Sequence, residues 1–243
     1  MLIHRPAAER GHVRLGWLDS RHSFSFGHYH DPAWMGFGPL RVINEDRVAP
    51  GAGFPTHGHA NMEILSYVLE GALAHRDSQG GEGVLRPGEL QWMSAGHGIE
   101  HSEFNASDSA PVHFLQIWIQ PDRVNAAPAY AQRAFDPAAR RGRWRPLASP
   151  DGADGSLAIR QQAWLHGVVL GRDEPVERAL DAGRRYWLHL ARGGARFALG
   201  GEGHRLAAGD AIAIAGEPGI LRLEGAADGP PADVLLFDLP PER

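Results

Sequence analysis

Short apolar runs, each closed by a glycine, proline or aspartate, set the strongest limit on how this chain can fold. Examples are ILSYVLEG, VHFLQIWIQP, RYWLHLARGG and ADVLLFDLP, and the 31 glycines and 18 prolines are spread through the whole length. Runs of this size match β-strands, and turn residues between closely spaced strands are typical of β-barrels and sandwiches. The pattern therefore predicts an all-β protein with few short helices.

A weak internal repeat divides the chain in two. In each half a strand ending in glycine is followed by a strand ending in Gly-acid and then by a further glycine: Tyr67–Gly71, Val84–Glu89 and Gly96, then Trp187–Gly193, His204–Asp210 and Gly216. Such a repeat indicates two similar structural units. We predict an N-terminal domain over residues 1–133 and a C-terminal domain over 134–243.

The junction between these domains contains two further features. The segment AAPAYAQRAF, residues 126–135, carries the best helical pattern in the chain and predicts a linker helix. The segment RRGRWRP contains four arginines: Arg140, Arg141, Arg143 and Arg145. A solvated linker is the favoured interpretation of this basic cluster, and a contact with an anion or a partner is the rarer one.

Composition excludes several classes of function. The chain has no cysteine, so disulfides and thiolate ligands are excluded and any metal must be bound by His, Asp or Glu. The formal charge is 24 − 29 = −5 at pH 7, which argues against direct binding to nucleic acid or an anionic membrane. No signal-peptide pattern and no apolar run of about 18 residues is found. We therefore expect a cytoplasmic protein, by default a monomer.

Two histidine pairs stand out because each has a spacing of two. The segment GFPTHGHANME contains His57 and His59, and GIEHSEFN contains His101 and Glu103. Residues i and i+2 of a strand point to the same face, so two such strands side by side would direct three imidazoles and one carboxylate at a common centre. These donors suit Fe, Mn, Ni, Co, Cu or Zn, and four protein ligands leave open positions on an octahedral ion.

The other histidines are less informative. His28 and His30 form another H-x-H, but no second pair completes a metal site, and an N-terminal strand near the pocket is the preferred interpretation. His75 is expected in a polar hairpin. His97 and His113 lie close in sequence to the proposed ligands, and they could form hydrogen bonds near the pocket.

The spacing of these motifs resembles the two motifs of the cupin superfamily. The first has Gly51, five residues, His57-x-His59, three residues, Glu63, and later Gly71. The second has Gly88, five residues, Ser94-x-Gly96, then His101, three residues and Asn105. Ser94 replaces the usual proline, and the histidine of this motif, His101, comes two residues later than in the general cupin pattern. With these two departures and the segments GPLRVINEDRVAPG and PGELQWMSAGHGIEHSE, the sequence resembles the pirin family of bicupins.

The resemblance implies two tandem jelly-roll barrels and one divalent metal ion, with Fe(II) as the native metal. In pirins the ligands match His57, His59, His101 and Glu103, whereas Glu63, a ligand in many other cupins, becomes an outer-shell or core-facing residue. Bacterial members include quercetin 2,3-dioxygenases, which open the central ring of flavonols with O2 and release CO. Other pirins regulate protein partners, including transcription factors.

The second half lacks a matching set of ligands. Alignment of the glycines places Leu221 and Leu223 at the positions of His101 and Glu103, and it places Ala179/Leu180 and Asp181/Ala182 at those of His57 and His59. We therefore expect a C-terminal cupin without metal, which has a structural role.

Several functions are compatible with the same ligands. The leading hypothesis is a dioxygenase for a flavonol-like aromatic substrate and O2, in which Glu103 is both a ligand and the general base for the substrate hydroxyl. The alternative is a non-enzymatic, redox-responsive iron protein that binds a regulatory partner. A third hypothesis is a different cupin reaction, because the cupin fold hosts many chemistries. A fourth is a structural bicupin without metal.

Overall fold

The computed structural model describes residues 1–172 and 174–241, and within them strands dominate. The helical segments in this part of the chain are three short 3-10 turns: Ala7–Glu9, Ala138–Arg140 and Ala153–Gly155. The predicted all-β class is confirmed. The chain forms two compact units. The N-terminal unit comprises Arg10–Phe135 and Leu157–Gln161, and the C-terminal unit comprises Met1–Glu9, Asp136–Ser156 and Gln162–Arg243.

The N-terminal unit contains twelve of the described strands. They are β2 (Gly11–Leu15), β3 (Leu18–His22), β4 (Leu40–Val48), β5 (Gly53–His59), β6 (Glu63–Glu70), β7 (Leu73–Asp77), β8 (Glu82–Leu85), β9 (Glu89–Ser94), β10 (Ile99–Asn105), β11 (Val112–Ile119), β12 (Ala129–Ala134) and the two-residue β14 (Leu157–Ala158). The first strand of the chain, β1 (Leu2–Arg5), belongs to the C-terminal unit.

The N-terminal unit is built from two antiparallel sheets. The larger has the strand order β12-β9-β6-β11-β4-β3-β2, and the smaller has the order β5-β10-β7-β8. One buried apolar cluster includes Val48, Val68, Leu85 and Phe114, which come from strands of both sheets. Side chains of a strand alternate between its two faces, so each sheet supplies one face to this interior. Burial of this apolar surface is the main force that holds the two sheets together.

The predicted helix over residues 126–135 is wrong. Residues Ala129–Ala134 form β12, which pairs antiparallel with β9 at the edge of the larger sheet. Ala, Gln and Arg favour helices, but the unpaired backbone groups at the open edge of β9 offer this segment a ladder of hydrogen bonds. Tyr130 and Gln132 share one face, as residues two apart in a strand do, and the Tyr130 hydroxyl donates to Gln132 Oε1 at 3.1 Å. Tertiary pairing thus overrides local propensity.

The C-terminal unit repeats the same arrangement. Its strands are β1, β13 (Arg145–Ser149), β15 (Trp164–Leu170), β16 (Pro175–Leu180), β17 (Arg185–Arg192), β18 (Gly194–Leu199), β19 (Glu202–Ala207), β20 (Ala211–Ala215), β21 (Gly219–Gly225) and β22 (Ala232–Leu239). One sheet contains β1-β20-β17-β22-β15-β13 in that order, and the other has the order β16-β21-β18-β19. The interior is an apolar cluster of valine, leucine, isoleucine and aromatic residues.

The two units are not contiguous in sequence, whereas the predicted domains are. The junction at 133/134 lies two residues from Phe135, where the main segment of the N-terminal unit ends. However, Met1–Glu9 belongs to the C-terminal unit because β1 pairs with β20, with Leu2 opposite Ile214. Residues Leu157–Gln161 belong to the N-terminal unit. Strand partners this far apart in sequence leave no local pattern.

The basic cluster is exposed at Arg141, Arg143 and Arg145, as expected of a solvated linker, but it is buried at Arg140. Arg140 is only 2% exposed, and its Nη1 atom lies 3.1 Å from Asp233 Oδ1. Arg141 pairs with Glu174 at 2.8 Å on the surface. A buried guanidinium requires such a carboxylate partner, so Arg140 is part of the packed C-terminal unit.

Within residues 1–172 and 174–241, the structure contains no helix with the length and apolar character that a membrane span needs.

Candidate metal centre

Two neighbouring strands of the smaller N-terminal sheet carry the predicted ligands. β5 pairs antiparallel with β10, and His57 lies directly opposite His101. His59 is two residues further along β5, so its side chain points to the same face as that of His57. His101 is 2% exposed, while His57 and His59 are half-buried. The strand period and the pairing of β5 with β10 together bring the three imidazoles to one place.

The imidazole nitrogens of this histidine triad (His57, His59 and His101) converge closely. His101 Nε2 lies 3.0 Å from His59 Nε2 and 3.1 Å from His57 Nε2. Two adjacent ligands about 2.1 Å from an octahedral ion are about 3.0 Å apart, because that distance is the bond length multiplied by √2. Lone pairs this close repel one another unless a proton or a cation lies between them. The spacing therefore fits a divalent transition metal.

The triad is also held in the correct protonation state for metal binding. Burial, with the charge of His57, lowers the pKa of His59 to about 4. Burial, with the charges of the neighbouring histidines, lowers the pKa of His101 to about 2. His57 Nδ1 lies 2.9 Å from the Pro55 carbonyl oxygen, which can only accept, so Nδ1 carries the proton and Nε2 keeps its lone pair. Neutral imidazoles with free Nε2 atoms are the form that binds metals.

Glu103 lies beside the triad, in the interior of the barrel. A bulge between His101 and Glu103 shifts the pairing with β5, so that Glu103 stands opposite Phe54. One of its carboxylate oxygens lies within 4.8 Å of ligand atoms of His101 and His75, and these three residues form a second group of donors. His101 is common to both groups. The structure thus brings Glu103 next to one ligand of the triad, and its coordination of the metal stays a prediction.

Two polar side chains hold the Glu103 carboxylate. Ser66 Oγ donates to Oε1 at 3.1 Å, and Gln116 Nε2 donates to Oε2 at 2.6 Å. Burial raises the pKa of Glu103 to about 7, with a further contribution from the charge of Asp46. A cation at the triad would act in the opposite direction and favour the carboxylate. Neither Ser66 nor Gln116 belongs to a motif, and the sequence alone did not identify them.

Glu63 is a core-facing residue, as one of the two sequence interpretations proposed. It is 1% exposed, and its carboxylate accepts hydrogen bonds from Trp92 Nε1 at 2.8 Å and from the backbone N–H of Arg160 at 3.0 Å. It also accepts from the Ser94 hydroxyl. These donors satisfy the carboxylate, so Glu63 has a structural role within the N-terminal unit.

The structure reveals one functional candidate that the sequence analysis missed. His75 was expected in a polar hairpin, but its side chain is fully buried and its Nδ1 atom lies 3.4 Å from Nδ1 of His101. In the register of β7 and β10, His75 stands opposite Glu103. The H-x-D spacing of His75 and Asp77 was the available signal, but only strand pairing shows that it faces the triad.

The remaining histidines lie outside the site. His28 and His30 are exposed in the loop between β3 and β4, so the expected strand at these residues is wrong. Gly27, with φ of +57°, and an isolated bridge between Phe26 and Tyr29 fold this segment into a tight turn instead. His97 is exposed, and His113 Nε2 lies 2.8 Å from Glu45 on the opposite face of β11 from Gln116.

A cavity of about 450 Å³ opens beside the triad. His59 lines it, together with Gly58, Ala60, Ser78, Gly98, Ile99 and Glu100. This volume lies within the range of about 300–1,000 Å³ that small-molecule pockets occupy. The edge of the His59 ring also packs against Trp118, at 4.9 Å between ring centroids. The histidine triad is therefore accessible from one side and bordered by an aromatic side chain.

Comparison with known proteins agrees with this architecture. The sequence profile of the pirin family matches residues 4–119, and that of the quercetinase C-terminal cupin domain matches residues 146–239. A quercetin 2,3-dioxygenase from Escherichia coli K12 is 45% identical over 241 residues, which cover 99% of this chain and 100% of the relative. A putative quercetin 2,3-dioxygenase from Pseudomonas aeruginosa is 43% identical over 98% of this chain and 100% of the relative.

A solved structure extends the comparison to the whole fold. The crystal structure of the bacterial pirin YhhW from Escherichia coli, in complex with nickel(II), is 42% identical and has a TM-score of 0.91, with 100% of both chains covered. The resemblance seen in the histidine motifs is thereby confirmed. With a family profile over its first half and such relatives over nearly its whole length, the chain belongs to the pirin family of bicupins.

Proposed function

We propose that this protein is a metal-dependent dioxygenase of the quercetin 2,3-dioxygenase type, which opens the central ring of a flavonol with O2 and releases CO. The observation that carries the proposal is the convergence of three imidazoles beside one buried carboxylate. The identity of 45% to a quercetin 2,3-dioxygenase over nearly the whole chain supports the choice of reaction.

In this proposal His57, His59, His101 and Glu103 hold one divalent metal ion, with Fe(II) as the native metal. The nickel(II) complex of a 42% identical pirin supports a divalent ion in this fold. A bound metal supplies a Lewis acid and, when it is iron, a redox couple. The N-terminal domain is the metal-binding domain, and the C-terminal domain binds no metal ion.

Glu103 is proposed as the general base for the flavonol 3-hydroxyl. A base works best when its pKa lies near the working pH, and burial raises the pKa of this carboxyl to about 7. Ser66 and Gln116 each donate a hydrogen bond to one oxygen, so the carboxylate is held in a single orientation. The pair thereby limits the loss of conformational entropy when the substrate arrives.

The surroundings suit a hydroxylated aromatic substrate. Several buried polar atoms in the N-terminal unit have no hydrogen-bond partner among the described residues, and they include His22 Nδ1, Asn44 Oδ1 and Trp118 Nε1. Asn44 pairs with both His22 and Gln116 across neighbouring strands, so its side chain shares their face of the sheet. Aromatic hydroxyls would satisfy such atoms, whereas a purely apolar substrate would leave them unpaired.

The test is aerobic turnover of quercetin by protein loaded anaerobically with Fe(II). We expect loss of the flavonol absorbance with release of CO, both abolished by chelation. His101→Ala should lose metal and turnover together, and Glu103→Gln should lower kcat by about 10²–10⁴-fold because it removes the base. Mn, Ni, Co, Cu and Zn, loaded in parallel, identify the metals that support the reaction.

The double variant His28→Ala/His30→Ala is the matched control for the ligands, because it removes an H-x-H pair that is exposed and contributes no donor to the triad. Metal content should be unchanged in it. Full activity of His101→Ala would overturn the metal site. No turnover at verified full metal occupancy would overturn the dioxygenase proposal and favour the redox-responsive binding role.

A further inference from the structure

A buried chain of hydrogen-bonding groups lies behind the triad. Asp77 Oδ2 is 3.1 Å from His75 Nε2, and His75 Nδ1 is 3.4 Å from His101 Nδ1. The side chains of His75 and Asp77 are fully buried. On its other side, His101 directs Nε2 toward His57 and His59. The order of groups is therefore Asp77, His75, His101 and the triad centre.

The Asp77 carboxylate determines which ring nitrogen of each histidine carries the proton. A carboxylate can only accept, so His75 must place its proton on Nε2, and its Nδ1 is then a lone pair. A lone pair at His75 Nδ1 requires a proton on the facing Nδ1 of His101. A neutral imidazole has one ring proton, so Nε2 of His101 is left as a lone pair. That is the nitrogen that faces the other two histidines.

We propose that Asp77 and His75 are positioning residues, which select the His101 tautomer that presents its Nε2 lone pair to the metal. The inference rests on the metal site of the proposed function, but not on the reaction performed there. Groups behind a ligating histidine commonly determine its tautomer and orientation, and their loss typically lowers metal affinity by 10–100-fold.

Neighbouring contacts hold the side chains of His75 and Asp77 in place. The His75 ring stacks on Tyr130, with centroids 5.0 Å apart and planes inclined by 18°. Asp77 Oδ1 accepts hydrogen bonds from the backbone N–H groups of Gln79 and Gly81, at 2.8 and 2.9 Å. One oxygen of Asp77 is thus committed to the turn after β7, which directs the other oxygen toward His75.

This geometry makes Asp77→Asn a specific test. The amide oxygen can keep both turn hydrogen bonds at the Oδ1 position, which places the NH2 group against His75 Nε2. That donor reverses the proton order, because His75 must then carry its proton on Nδ1 and His101 on Nε2. We expect nitrogen-15 NMR of the metal-free protein to show His101 changing from the Nδ1–H to the Nε2–H tautomer. Nickel(II) affinity, measured by chelator competition, should fall by about 10–100-fold.

Two further variants make the result decisive. Asp151→Asn is the matched control: Asp151 Oδ1 also accepts a turn N–H, from Ala153, but its side-chain partner is the Ser149 hydroxyl and not a histidine, so tautomer and nickel affinity should not change. His75→Phe keeps a ring against Tyr130 and removes the acceptor, so it should also weaken nickel binding.

An unchanged His101 tautomer and a nickel affinity within twofold of wild type, in folded Asp77→Asn and His75→Phe, would overturn the inference. Circular dichroism and thermal unfolding establish that the variants are folded. Quercetin takes no part in either measurement, so failure of the dioxygenase proposal is seen separately.

Discussion

The interiors of the two barrels differ in chemistry although their strands follow the same order. The smaller N-terminal sheet, β5-β10-β7-β8, corresponds to β16-β21-β18-β19 in the C-terminal unit. In the larger sheets, β9-β6-β11-β4 corresponds to β20-β17-β22-β15. Strand register then matches residue with residue. The polar residues His101, Glu103, His75, Ser66 and Gln116 correspond in that order to Leu221, Leu223, Phe197, Leu188 and Leu236, all of which are buried in one apolar cluster.

The comparison teaches that the fold does not require the polar interior. Five apolar side chains fill the C-terminal barrel at positions where the N-terminal barrel contains a carboxyl, two imidazoles, a hydroxyl and an amide. Burial of apolar groups stabilises a barrel, whereas burial of polar groups costs free energy unless each finds a partner. The polar groups of the N-terminal interior are therefore not what stabilises the fold.

The largest effect should come from placing a carboxyl in the apolar barrel. Leu223→Glu introduces the equivalent of Glu103 among Leu188, Phe197 and Leu236, where no donor replaces Ser66 or Gln116. We expect a loss of about 3–5 kcal/mol in the free energy of unfolding at pH 8, measured with urea, because the charge is buried without a partner.

Arg222→Gln, at the exposed neighbouring position of β21, is the control and should change stability by less than about 0.5 kcal/mol. A folded Leu223→Glu protein of near wild-type stability would show that the C-terminal interior tolerates charge, and the contrast between the barrels would lose its energetic basis.

Metal removal should affect one barrel only. A ligand at 100 times its Kd stabilises the folded state by about 2.7 kcal/mol, so chelation should lower the unfolding temperature of the holoprotein. Hydrogen exchange should locate the effect: amides of β5 and β10 should exchange faster without metal, while those of β16 and β21 should not change. Equal effects in both barrels would contradict an empty C-terminal unit.

A smaller effect concerns pH. Burial raises the pKa of Asp46 to about 7, above its usual 3.8, and Val168 occupies the equivalent position in the C-terminal barrel. The folded state then binds this proton more tightly than the unfolded state. The resulting stability is complete below about pH 4 and is lost as the pH rises through 7.

Asp46→Asn removes this dependence. In metal-free protein we expect the variant to be more stable than wild type by about 1–3 kcal/mol at pH 8, with a smaller difference at pH 5, as measured by urea unfolding. Val168→Ala is a control whose effect on stability should not depend on pH. A difference between Asp46→Asn and wild type that is the same at both pH values would contradict a raised pKa at Asp46.

Much of the fold and part of the site followed from local patterns. Glycine and proline between short apolar runs predicted the all-β class, and the spacing of two in His57-x-His59 predicted two imidazoles on one strand face. Both rules act over a few residues, because a strand alternates its side chains whatever it pairs with. The leucines at 221 and 223 likewise showed that the second barrel lacks a triad.

Tertiary structure decided what those patterns could not contain. The segment at 129–134 became a strand because β9 offered an open edge, and Leu2–Arg5 joined the C-terminal unit through a partner more than 200 residues away. His75 reaches His101 across 26 residues of sequence, and only the register of β7 against β10 makes them neighbours. By itself, the sequence determined which side chains share a strand face. Which faces meet depends on hydrogen bonds and burial between distant strands, and that pairing places Asp77 and His75 behind the triad.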